Sequence, residues 1–186
     1  MEAMKGIEGI EGTGGMSGAE RRDPFDPLDP LKSLPPHLGN VRLLALPKTA
    51  LLSSRRVPPA AVMRCYDWAT EARDAGRCVA SGFQSALERD VLSFLLRGTS
   101  PIVLVLARSL WKAVPKEFRE PIAVGRLLVV SPVPQSASRV SEETAAVRNG
   151  WILDHCDEAV FASLDPDGTL ARLVAARPRL RYRVLD

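Results

Sequence analysis

From residue 49 onward, short unbroken apolar runs alternate with longer stretches in which apolar residues recur every three or four positions. The runs are Thr49 to Ser53, Arg77 to Ala80, Ile102 to Leu106, Arg126 to Val130 and Ala159 to Ala162. Serine, glycine, proline or arginine bounds each one, so each reads as a strand buried on both faces, as in a parallel sheet. Between them the spacing predicts a helix opened by Pro58-Pro59 and running to about Ala75, with Val62, Cys65, Tyr66, Ala69 and Ala72 on one face and Gly76 as its stop. A second helix runs from Ala86 to Leu96 and ends at Gly98. A short helical turn spans Pro115 to Glu120 and is stopped by Pro121. Further helices run from Ser141 to about His155 and from Thr169 to Ala176. Val41–Leu46 reads as an edge strand, and Arg179–Leu185, with its alternating arginines, as another. This alternation specifies an α/β fold: a three-layer, Rossmann-like, open and mostly parallel sheet with helices on both faces.

Residues 1–40 break the pattern. Gly-Ile-Glu occurs twice at the start, glycines follow, and proline punctuates the stretch from Asp23-Pro24 to Pro36. Proline at that density blocks helix and pairs poorly in sheets. The expected organisation is an acidic, Pro/Gly-rich tail over 1–40, disordered to residue 20 and extended over 23–36, followed by a Rossmann-like domain over 41–186. The tail is expected to lie on that domain through Phe25, Leu28 and Leu31.

Composition narrows the class. No apolar run approaches the ~20 residues of a membrane span, and the N-terminus has no apolar core of a secretory signal. The three cysteines, Cys65, Cys78 and Cys156, have no C-x-x-C spacing. That argues against a disulfide framework and a zinc site and for a cytoplasmic protein with no metal and no cofactor. The net charge of +3 hides an asymmetry: residues 1–30 carry seven acidic and three basic side chains, so the rest of the chain is +7. Most of that positive charge is arginine, whose planar fork of donors suits phosphate.

Ligands of open α/β sheets bind beyond the carboxyl ends of the strands. That rule selects five loops: Ser53-Ser54-Arg55-Arg56, Ser81-Gly82-Phe83-Gln84-Ser85, Ala107-Arg108-Ser109, Ser131-Pro132 and Asp165-Pro166-Asp167-Gly168-Thr169. Their hydroxyls, glycines and guanidinium groups suit holding phosphate better than splitting bonds. The second loop is the centre of the set. Ser85 and Glu88 form the S-x-x-E pattern of a capping box at the start of a helix. Two readings of it stand open: the pair only caps the helix, or the turn also seats a phosphate at the helix N-terminus. Glu88 is the candidate acid on this rim, and Phe83 the candidate for stacking on a base. Trp68, Trp111 and Trp151 read as packing residues, and Cys78 as an inert core thiol. His155 sits at a helix C-terminus, where a cation favours the dipole. No Gly-x-Ser-x-Gly elbow, Walker loop or His-x-x-x-His pair occurs, so no catalytic residue is assigned.

At these loops the sequence resembles the DNA-processing protein DprA (Smf) family, within the SLOG group of Rossmann-like folds. Ser53-Ser54-Arg55 is similar to that family's G-S-R loop, with serine for glycine. Ser81 to Glu88 is similar to S-G-x-A-x-G-I-D, with Gln84 for alanine, Ala86 for the second glycine and Glu88 for aspartate. Arg148-Asn149-Gly150 is similar to R-N-R without its last arginine, and Gly168-Thr169 to a late glycine–hydroxyl turn. The resemblance spans about residues 45–175 and implies a phosphate or single-stranded DNA site. The residues it marks, with those of the rim loops, are Ser54, Arg55, Ser81, Gly82, Phe83, Gln84, Ser85, Glu88, Arg108, Ser109, Arg148, Asn149, Gly168 and Thr169. It implies a non-catalytic protein of DNA recombination or uptake, able to form a homodimer. Two further functions stay open on the same rim: a nucleotide-binding sensor, and a LOG-like nucleoside-monophosphate phosphoribohydrolase. Against the second, Asp165-Pro166-Asp167-Gly168-Thr169 lacks the double glycine of P-G-G-x-G-T.

Overall fold

A computed structural model of the chain describes residues 34–185. Seven strands form one sheet: β1 (His37–Gly39), β2 (Lys48–Leu52), β3 (Cys78–Ser81), β4 (Ile102–Val105), β5 (Leu127–Val130), β6 (Glu158–Phe161) and β7 (Tyr182–Val184). Their order across the sheet is β1-β5-β4-β3-β2-β6-β7, and only β1 runs antiparallel to its neighbour. Every residue of β2, β3, β4 and β5 is buried, which is why these segments carry unbroken apolar runs instead of an alternating pattern.

Five helices cover the two faces: α1 (Pro59–Asp74), α2 (Ala86–Leu96), α3 (Lys116–Ala123), α4 (Glu142–Asp154) and α5 (Thr169–Ala175). Successive side chains of a strand point to opposite faces. Val79, Ile102, Leu104 and Leu127 accordingly pack with Trp68 of α1, Val91 and Leu95 of α2 and Phe118 of α3. Ala80, Val103, Val105 and Leu128 pack on the other face with Ile152 and Leu153 of α4 and Leu170 and Val174 of α5. Burying one such Val, Leu or Ile side chain stabilises the fold by roughly 1.5–3 kcal/mol. The expected α/β architecture is the observed one.

Three local expectations differ. Val41–Ala45 is a 3₁₀ helix, not an edge strand. The Asn40 side chain accepts from the N–H of Arg42 and turns the chain at once, and only Leu43 of the segment is buried. The edge place beside β5 is taken instead by β1, which lies within the stretch assigned to the tail, and the compact unit begins at Leu34. Pro121 does not stop α3, which continues to Ala123. The expectations for residues 1–33 lie outside the described residues. Among the described residues, no helix is long and apolar enough to cross a membrane.

A candidate nucleic-acid interface on the strand-end rim

β2 leads through α1 to β3 on one side, and β6 leads through α5 to β7 on the other. The strand order therefore reverses between β2 and β6, the place where sheets of this type open a crevice. Here the loops after those two strands are tied together. The Ser54 N–H donates to the Ser163 carbonyl at 3.0 Å, and the Ser54 hydroxyl accepts from the Asp165 N–H at 2.8 Å. Gly168 and Thr169 sit just beyond, where Gly168 caps α5 with no side-chain bond.

The turn after β3 is built by short-range bonds. The Ser85 hydroxyl accepts from the Glu88 N–H at 3.1 Å, and the Glu88 carboxylate accepts from the N–H groups of Gln84 and Ser85 at 2.8 and 3.2 Å. The capping box is therefore complete. Ser53 brings its hydroxyl to 3.3 Å from that of Ser85 and donates to Glu88 at 3.4 Å, which joins the β2 loop to the same cluster. Glu88 is buried, so it is not a free acid on the rim, and its carboxylate occupies the anion seat that the helix start offers.

Phe83 is a correction of a different kind. It has a left-handed φ of 46°, held by its N–H donating to the buried Ser81 hydroxyl at 3.2 Å. That conformation is costly for a bulky residue. Its ring joins the core with 5% of its surface exposed, so it is not the exposed stacking residue expected, and it helps line the cleft described below.

An arginine of α4 reaches this turn. Arg148 is only 6% exposed. Asn149 Oδ1 accepts from its Nε and Nη2 at 2.9 and 2.8 Å, and Gln84 Oε1 accepts from its Nη1. The guanidinium lies against Gly82: a Cβ there would fall 2.6 Å from Cζ and Nη1 and 2.7 Å from Nε. Among the described residues Arg148 forms no salt bridge. Burial lowers its pKa from the ordinary guanidinium value, and the nearby Glu88 carboxylate acts in the opposite direction. Arg55, by contrast, is an exposed side chain paired with the equally exposed Glu142 of α4.

On the other side of the turn, a cleft of about 820 Å³ opens between α2, α3 and the loops after β4 and β5. Leu92, Leu104 and Leu106 form its floor, and Trp111 and Phe118 stand at one wall, stacked 5.1 Å apart with ring planes 3° from parallel. Arg89, Arg108 and Arg139 are exposed at its mouth. Its far wall is braced from behind. The Ser109 N–H donates to Ala137 at 2.8 Å, and the Ser131 hydroxyl donates to the Arg108 carbonyl at 2.8 Å. The sequence singled out Arg108 and Ser109 of this region. Arg89, Arg139 and the placing of Trp111 emerge only when α2 and the 131–140 loop meet. The single local sign of Arg89 is its position beside Glu88 in the first turn of α2.

The three thiols offer no reactive group. Burial pushes Cys65 up to about 12 and Cys78 and Cys156 each to about 11. Among the described residues no group of three potential metal ligands occurs.

No family model matches the chain, and no curated protein matches its sequence. Solved structures match by fold. One is DNA processing protein A from Helicobacter pylori, described for its single-stranded DNA binding mode. The likeness has a TM-score of 0.62 at 19% identity and covers 80% of this chain and 69% of that one. Another is DprA from Streptococcus pneumoniae, with a TM-score of 0.61 at 17% identity over 80% of this chain and 53% of that one, so the chain spans about half its length. Residues 34–185 thus have a DprA-like, Rossmann-type α/β fold.

Proposed function

We propose that this chain is a DprA-like DNA-processing protein that binds single-stranded DNA through its phosphates, without cleaving it, in DNA recombination or uptake. The observation that carries this reading is Arg148. A buried guanidinium bonded only to neutral amides is costly, because desolvation disfavours the charged form, and the nearby Glu88 carboxylate offsets this without forming a salt bridge. Among the described residues, the three bonds to Asn149 and Gln84 leave two of its five N–H groups without an assigned partner. A phosphate entering at the Gly82–Gln84 turn would supply a directly bonded negative charge, with the exposed Gln84 swinging aside to admit it. Gly82 keeps the approach open, and Asn149 holds the guanidinium plane in place.

Around this point Arg55, Arg108 and the turn hydroxyls extend a basic path along the rim for neighbouring phosphates. The fold likeness to a protein described as binding single-stranded DNA supports the same reading. Glu88 argues for binding over catalysis, since its carboxylate is already committed to two backbone N–H groups.

The test is fluorescence anisotropy of a labelled single-stranded oligonucleotide at two salt concentrations. Affinity should fall steeply with salt, because phosphate contacts release counterions. Arg148→Ala should weaken binding at least tenfold. Affinity that ignores both salt and Arg148 would sink the reading. Stabilisation by a nucleoside phosphate with no binding of oligonucleotide would give the rim to a small nucleotide instead.

A further inference from the structure

We propose that Gln84 is an internal competitor for the Arg148 guanidinium. Its side chain is a latch that holds the seat in the free protein and sets how tightly the rim takes a phosphate. This role rests on the reading of Arg148 as a phosphate seat, and on separate observations for the latch itself.

The backbone of Gln84 is pinned at its N–H and at its C=O. The N–H donates to the buried Glu88 carboxylate at 2.8 Å, and the carbonyl accepts from Arg89. The neighbouring Phe83 is fixed by burial and by the bond from its N–H to Ser81. The side chain is therefore the part of Gln84 that can move, and it is exposed. Among the described residues its amide makes one bond, in which Oε1 accepts from Arg148 Nη1. Capping of α2 does not need that amide, since Ser85 and Glu88 supply both halves of the box. Nor does the guanidinium plane need it, because Asn149 Oδ1 already accepts from Nε and Nη2.

The chemistry of the bond suits a latch. With no anion present, the amide oxygen gives Nη1 of a buried cation a partner that it would otherwise lack. A phosphate oxygen brings charge as well, and phosphate can take two parallel N–H bonds from one guanidinium. Phosphate therefore displaces the amide, and the released amide passes into water because Gln84 is exposed. A carboxylate at this position would bring negative charge of its own and would not yield. A side chain too short to reach would leave Nη1 open. Gly82 cannot take over the contact, since only its bare Cα lies against the guanidinium. Glutamine thus sets an affinity between these two limits.

The experiment measures anisotropy of labelled oligo-thymidylate at low salt. It uses wild type, Gln84→Ala, Gln84→Glu, Arg148→Ala and the double variant Gln84→Ala/Arg148→Ala. Gln84→Ala should bind roughly three- to tenfold more tightly, the worth of one net intramolecular hydrogen bond. Its salt slope should stay that of wild type, because no charge is lost. Gln84→Glu should bind about tenfold more weakly or worse. In the Arg148→Ala background the gain from Gln84→Ala should vanish, which a general packing role for Gln84 would not produce. Three results would each overturn the latch and leave the phosphate rim standing: Gln84→Ala no tighter than wild type, Gln84→Glu equal to wild type, or the same gain with and without Arg148. If neither wild type nor Gln84→Ala binds the oligomer, strand binding fails and inorganic tripolyphosphate decides the latch by thermal shift. A larger rise in Tm for Gln84→Ala than for wild type, lost with Arg148→Ala, would support it. Equal rises, or no rise in either protein, would overturn it.

Discussion

Glu88 and Arg148 are both charged, both buried and both at the turn after β3, yet they stand in opposite situations. Glu88 lies at the start of its own helix, and its carboxylate accepts from two backbone N–H groups while the helix dipole favours its charge. Arg148 lies in the middle of α4 and meets only side-chain amides and the bare Cα of a glycine. Glu88 is compensated by direct backbone bonds, whereas Arg148 has neutral hydrogen-bond partners and no acid within salt-bridge distance among the described residues. A helix start with a capping acid is therefore a poor anion seat, however inviting its N–H groups look, whereas a buried cation held by neutral partners is an open one.

The largest effect expected from breaking this comparison is at Glu88. Glu88→Ala should cost about 1–3 kcal/mol, because two part-buried N–H groups lose their acceptor and α2 loses its cap. Arg148→Met, which keeps length and removes charge, should leave stability unchanged or raise it. Urea unfolding midpoints of the two variants, read with unchanged slope, make the measurement. A loss at Arg148 equal to that at Glu88 would make the arginine a structural group and remove the argument for phosphate.

The unequal legibility of these two residues has a physical basis. The capping box is an i, i+3 relation within one turn of chain, so Ser85 and Glu88 declare it in sequence and the structure contains it. The buried runs of β2 to β5 are legible for a similar reason, since burial on both faces calls for a mostly apolar run, with Lys48, Thr49 and Ser81 at strand ends as the polar exceptions. β1 is three residues long and owes its existence to pairing with Leu128–Val130, some ninety positions away, so no local pattern marks it. The motif likeness points to Arg148, but its burial depends on α4 meeting the turn after β3, 64 positions away. Phe83 is buried, at a left-handed backbone angle that no local pattern in the sequence marks. The cleft was invisible for the same reason as β1: its lining comes from segments spread over residues 82–140.

A subtler break is Gly82→Ala. The added methyl would sit 2.6 Å from the Arg148 guanidinium, so something must move. The tip of a long side chain moves more easily than backbone, and Arg148 should swing out of its bed. Stability should then fall by less than about 1 kcal/mol, below the usual cost of overpacking. Binding of single strands should fall nearly as far as in Arg148→Ala. Anisotropy and unfolding on the same variant separate the two effects. Intact binding with a large stability loss would mean that the turn had moved instead, and that Gly82 serves packing alone.

The smallest effect is expected at Arg55, which sharpens the contrast between a buried and an exposed arginine on one rim. Arg55 and Glu142 pair in full contact with water, where such pairs contribute roughly 0–1 kcal/mol. Arg55→Ala should therefore leave the unfolding midpoint almost unmoved. If Arg55 meets a phosphate of the bound strand, its removal should weaken binding a few-fold and reduce the salt dependence by about one phosphate contact. Glu142→Gln should act in the opposite direction, since it frees Arg55 from its acid and removes a negative charge from the path. An Arg55→Ala variant with wild-type affinity and wild-type salt slope would confine the interface to Arg148 and the cleft side of the turn, with the exposed pair no more than a tie between the β2 loop and α4.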